Sequence, residues 1–224
     1  NTNTLATADL MRLEIDVDSE TSGTSNMWIG YYADGTRVGR LRGDGAGGIQ
    51  LIDAFTGGHP TVISAAATGE LGMIVQSTGI MWAKSAPEKT ISTGIPKVEL
   101  TTSSASKKVY GVISDIYIGE NESDGYEGYV KNWGVGEDEA HIAVNSLGEG
   151  QILVTNINGD VENGDYITSS DITGLGQKQD TDILKSSTVA KCVETIDWST
   201  VTDTVTHNGQ EYKKILAACT YHCG

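Results

Sequence analysis

"GQILVTNINGDVENGDYITSS", from Gly150 to Ser170, sets three polar turns and two β-rich runs in twenty-one residues. Ile152, Leu153, Val154 and Ile157 stand between clusters of Asn, Gly and Asp, and Tyr166 and Ile167 resume the β-branched and aromatic bias after Asn163-Gly164-Asp165. This is the pattern of a hairpin, with turn residues at short intervals between strand-forming ones. The same texture runs through the chain. Alternation or β-branched bias marks strands at 12–18, 27–33, 37–42, 49–55, 61–65, 71–76, 79–83, 97–102, 108–117, 140–144, 151–157, 165–169, 187–197, 201–207 and 211–221. Helical spacing is confined to a short turn at Leu5–Leu13. The expected fold is all-β: a Gly-rich N-terminal part of short strands, then a compact β-sandwich or barrel-like C-terminal domain.

Composition narrows the rest. A hydrophobic fraction of 38% over 224 residues provides for a core, so wholesale disorder is excluded. No apolar run reaches the roughly 18 residues of a membrane helix, so membrane insertion is not expected. Fifteen Lys and Arg against 30 Asp and Glu give a net charge of -15, a field that repels a phosphate backbone and argues against nucleic acid as a partner. Such acidity keeps β-rich chains apart in solution and also leaves carboxylates for calcium. The chain opens on Asn1 and lacks a signal-peptide pattern there, which reads as a processed product or an excised fragment.

Pro87 and Pro96 bracket "PEKTISTGIP", after which the strands lengthen and become more apolar, placing a boundary near residue 90. The domains are expected at 1–90, a Gly-rich fibre or knob-like part, and at 97–224. A ninety-residue segment with few large side chains makes a marginal core alone, and an intertwined oligomer is the remedy, covering strand faces and open edges.

Chemistry-bearing residues are few. Cys192, Cys219 and Cys223 do not form a disulfide scaffold, and "CTYHC" at 219–223 lacks the fourth ligand of a structural zinc site, so no metal is assigned. An Asn208-Gly209 turn would carry Cys192 toward the C-terminal end and put a Cys192–Cys223 disulfide within reach; intact mass with and without reductant decides it. "GDGAGG" satisfies G-x-G-x-x-G by letter, but no helix pattern follows and Asp44 would face the phosphate, so it reads as a hairpin loop. "ENESDG" (120–125) resembles the start of a calcium loop, yet position twelve is Lys131 where a bidentate acid is needed, so weak calcium binding is the most it offers and no other cofactor is expected. Asp18-Ser19 and Lys84-Ser85 are the steps where self-cleavage chemistry could sit; the first reads better as a polar strand end followed by a turn, the second has its two side chains on opposite faces of a strand, and neither is assigned as catalytic. No G-x-S-x-G elbow and no H-E-x-x-H pair occurs. The aromatics, by contrast, cluster: Trp28, Tyr31 and Tyr32 in "MWIGYY", and Tyr126, Tyr129 and Trp133 in "GYEGYVKNW", beside acids and amides suited to sugar hydroxyls. These six are the receptor-site candidates; packing in a core or at a subunit contact is the competing use of the same side chains.

The ordered set "KKVYGVISD" (107–115), "EGYVKNWGVG" (127–136), "HIAVNSLGEGQILVTNINGDVENGDYITSS" (141–170) and "SSTVAKCVETIDW" (186–198) resembles the C-terminal module of phage and large-virus tail-fibre, spike and neck-appendage proteins, a family in which the module is often an autoproteolytic intramolecular chaperone. The resemblance covers roughly residues 97–224. It implies a homotrimer at a fibre tip or capsid surface, working outside the cell at the virion surface and binding a host glycan or protein receptor together with other virion proteins. The function it implies is a viral structural protein for host attachment, with no turnover chemistry. The alternatives are a self-cleaving chaperone that templates fibre trimerisation, a peptidase acting once on its own chain, and a secreted carbohydrate-binding adhesin.

Overall fold

The computed structural model describes residues 27–33, 36–43, 49–52, 56–82, 95–117 and 138–222. The chain divides into two compact units, Asn1–Ala54 and Phe55–Gly224. All thirteen described strands are β, accompanied by one 3-10 turn at Ala65–Ala67. Among the described residues no helix is long and apolar enough to cross a membrane.

The first unit contains an antiparallel meander of β1 (Met27–Ala33), β2 (Thr36–Gly43) and β3 (Ile49–Ile52). Gly43 pairs with Ile49, so the "GDGAGG" stretch joins two antiparallel neighbours. Residues 44–48 themselves lie outside the described residues.

The second unit is one ten-stranded sheet that returns to a single long strand twice. Its members are β4 (Thr56–Ser64), β5 (Ile74–Trp82), β6 (Ile95–Leu100), β7 (Val109–Tyr117), β8 (Glu139–Thr155), β9 (Tyr166–Ser169), β10 (Gly176–Lys178), β11 (Thr188–Cys192), β12 (Thr204–His207) and β13 (Gln210–His222). β4 and β5, which the sequence places before residue 90, thus lie in the second unit. The first half of β8 pairs with β4 and β7, and β6 and β5 complete a five-stranded ring. The second half of β8 pairs with β13 and β10, and β11 and β9 complete another closed five-stranded barrel. Closure removes the unpaired edges that an open sheet would present.

Each ring has its own apolar filling. Ile63, Val75, Val98, Ile113, Ala140, Ile142 and Val144 fill the first, while Ile152, Val154, Val161, Ile167, Val189 and Ala217 form the body of the second. Strand alternation explains the selection, since Ala140, Ile142 and Val144 are two apart on β8 and share one face. Trp198 closes the second core, donating its indole Nε1–H to Val161 O at 2.9 Å. Each fully buried Ile or Val contributes about 1.5–3 kcal/mol by leaving water.

The opening stretch, "GQILVTNINGDVENGDYITSS", does form two strands separated by turns, but they are not hairpin partners. β10 lies between them, parallel to β8 at Gly176–Val154 and antiparallel to β9. Gly176 makes the insertion sterically feasible: a Cβ there would meet Ile167 Cγ2 at 2.7 Å. The turns themselves are real, with Gly159 and Gly164 at φ 88° and 98°.

Candidate functional site

Two pairs of strand ends lie in the first ring. Trp82, the last residue of β5, pairs with Ile95, the first of β6, and Tyr117, the last of β7, pairs with His141 near the start of β8. The segments 83–94 and 118–137 lie outside the described residues.

On the outer face of the first ring, beside the start of β8, sits a satellite cluster of Val62, Trp82 and Ile95, separate from the filling of the ring. Outward positions follow from register: Val62 pairs with His141 on one side and Lys97 on the other, while the adjacent Ile63–Ala140 pair belongs to the core. The Trp82 indole lies edge-on to the His141 ring, with centroids 5.9 Å apart and planes at 88°. Its Nε1–H donates to Glu139 Oε2 at 2.9 Å, and the other carboxylate oxygen of Glu139 forms an ion pair with the Lys97 ammonium. Glu139 thus ties β5 and β6 to β8 through one carboxylate.

His141 is the unusual member. It is 8% exposed, and its Nε2 has no hydrogen-bond partner among the described residues. Burial pushes its pKa down to about 4, against the pull of the Glu139 charge, because a charged imidazole cannot be hydrated there. The ring is neutral at physiological pH, and among the described residues nothing hydrogen-bonds to its Nε2. The arrangement is a polar clasp beside a buried, neutral imidazole.

Of the receptor candidates, Trp28, Tyr31 and Tyr32 all fall on β1, which is a strand as expected. Tyr126, Tyr129 and Trp133 lie outside the described residues, as do "ENESDG", Lys131, Asp18-Ser19, Lys84-Ser85, the Leu5–Leu13 turn and Cys223.

The Asn208-Gly209 turn is present, with φ of 51° and 79° and His207 paired to Gln210. Positive φ at both positions is what a type I′ hairpin demands. The hairpin is short, however, and β13 runs on between β8 and β11. Register then places Cys192 directly across from Cys219. Cys192 carries a free thiol whose hydrogen bonds to Glu194 O at 3.4 Å, and burial raises its pKa, which makes it a poor nucleophile. Among the described residues, no group of three His, Cys, Asp or Glu gathers to hold a metal.

Sequence reasoning missed Trp82, Lys97, Glu139 and His141 as a group, because 57 residues separate Trp82 from its carboxylate partner. Comparison of the chain with protein-family models, curated proteins and solved structures gives no match.

Proposed function

We propose that the chain is the C-terminal part of a homotrimeric tail fibre or spike that attaches a virus particle to its host, acting at the virion surface, beside other virion proteins, as a binding and structural element. The observation that carries the reading is an apolar patch on the outer face of the second barrel. Leu153 and Leu216 pair across β8 and β13, and the Leu71-Gly72 turn lies against them, Gly72 being so close that a Cβ would meet Leu216 Cδ1 at 2.7 Å. Val193 continues the patch beside Ala218, donating its N–H to Ala218 O at 3.0 Å. Leu71, Val193 and Leu216 are 56%, 50% and 40% exposed. Exposed apolar side chains on the face of a closed barrel, whose five ring strands each have a partner on both sides, favour face-to-face assembly with further copies. In that assembly three weak receptor sites act together, and the gain comes from effective concentration with no new contact.

Light scattering of the purified chain, with its mass under denaturing conditions, tests this. The expected result is a trimer of intact 23.7 kDa chains. Leu216→Lys, which places a charge in the patch, is expected to shift the trimer to monomer while leaving the far-ultraviolet circular dichroism unchanged. A monomeric native chain overturns the reading in favour of a cellular adhesin; a trimer of clipped chains turns it toward the self-cleaving chaperone and identifies the bond.

A further inference from the structure

The arginines are distributed very unevenly. Three of the chain's four, Arg37, Arg40 and Arg42, lie within β2, and the strands β1, β2 and β3 contain no Asp or Glu, although the whole chain carries a net charge of -15. Register gathers them further. Directly opposed residues of an antiparallel pair share a face, as do residues two apart on one strand. Arg40 is opposite Gly30, Arg42 opposite Met27, and Arg37 opposite Tyr32. Gly30 and Tyr32 are two apart, so Arg37, Arg40 and Arg42 all occupy positions on one face. Simple alternation would have sent Arg37, three residues from Arg40, to the other side. The register shift between Tyr31 and Tyr32, where Val38 has no partner on β1, corrects the phase. Ile52 and Gln50 of β3 extend the same face beside Arg40 and Arg42.

We propose that this face of the β1–β3 meander is a binding site for an acidic saccharide, a sugar chain bearing carboxylate or sulfate groups. Arginine's planar fork matches both groups with two parallel hydrogen bonds. Arg40 and Arg42 stand about 7 Å apart along the strand, so successive anionic groups of a sugar chain can be met in turn. Tyr32, at the register position opposite Arg37, adds the aromatic element that sugar rings use for stacking, and Gly30 leaves the centre of the face without a side chain. The acidic remainder of the chain opposes any long polyanion, nucleic acid and saccharide alike, and the oligothymidylate arm of the test separates the two. The inference rests on the attachment reading above and names the class of receptor.

The test is binding of the full chain to immobilised polygalacturonate, a chondroitin sulfate, a neutral dextran and a single-stranded oligothymidylate, at about 50 and about 300 mM salt. The expected result is binding to one or both acidic polysaccharides, none to dextran, and a weakening of about tenfold or more at the higher salt. Which of the two binds separates carboxylate from sulfate. R37Q/R40Q/R42Q is expected to weaken binding about 100-fold with strand content retained, and the corresponding triple lysine variant about tenfold, since lysine keeps the charge and loses the fork. Should the triple glutamine variant misfold, R40Q and R42Q singly are expected to lose about fivefold to tenfold each. Unchanged binding by the folded glutamine variants, tighter binding to oligothymidylate or dextran, or no binding to either acidic polysaccharide overturns the proposal. Light scattering on the same samples keeps the two ideas apart: a monomer counts against the fibre reading, and a trimer that binds whole cells equally well with and without the three arginines counts against this site alone.

Discussion

Gly111→Ala is expected to lower the unfolding free energy by about 3 kcal/mol, read as a fall in the urea midpoint at unchanged slope. Gly111 lies on β7 opposite Val75 of β5, where the first ring closes on β8. An alanine Cβ would lie 2.5 Å from Asn145 O and 2.5 Å from Val144 Cγ1, and 3.1 Å from the Asn145 carbonyl carbon. Two of those atoms are backbone of the strand that both rings share, so relief requires β7 and β8 to separate. Val144, fully buried in the core of the ring, has nowhere to turn. Overpacking of this kind costs about 1–3 kcal/mol where side chains can adjust, and the upper end applies where backbone must move. Ser114→Ala, at an exposed position on the same strand, is the control and is expected to stay within about 0.5 kcal/mol. Equal midpoints for Gly111→Ala and the native chain would show that β7 does not approach β8 as closely as described.

The close approach at Gly111 also illustrates what could be read from the sequence and what could not. Strand identity was legible wherever β-branched residues alternate: 27–33, 108–117 and 211–221 all correspond to observed strands within a residue or two. The Asn208-Gly209 turn was legible because its chemistry is local. Two expected strands, 140–144 and 151–157, proved to be one, since Gly148 and Gly150 in "SLGEGQ" read as breakers yet lie inside β8, paired to Tyr221 and Cys219. β10, three residues of Gly-Gln-Lys, carries no β-forming signal, and without it the opening stretch reads as a hairpin. For the clasp beside the start of β8, the governing contacts join β4, β5, β6 and β8, and no local spacing encodes them. The arginine face was half visible. "TRVGRLRG" displays its charges openly, but bringing Arg37 into phase depends on a bulge that only the pairing reveals.

Acid is expected to remove about 2.5 kcal/mol of stability from the native chain through His141 alone between about pH 7 and about pH 4.5. Unfolded, this histidine titrates near its ordinary 6.5; folded, its pKa is lowered to about 4. Above 6.5 both states are neutral and nothing is lost. As the pH falls from 6.5 toward 4, the unfolded chain binds a proton that the folded chain refuses, and the loss levels off below 4. The groups that face the imidazole among the described residues account for the refusal: Val62 from β4 and Trp82 from β5 desolvate it, and Glu139 divides its charge with Lys97 of β6. Other carboxylate contacts also weaken in acid, Asp165 with Lys178 among them, so the measured quantity is the difference between native chain and His141→Leu in urea midpoints at the two pH values. The leucine variant is expected to match or exceed native stability at neutral pH, because it fills the apolar satellite cluster and removes an unpartnered nitrogen, and to keep about 2.5 kcal/mol that the native chain loses in acid. Parallel losses in the two proteins would sink the idea. A divergence of the expected size would place an acid-labile point at His141, which β8 holds between Val62 of β4 and Tyr117 of β7.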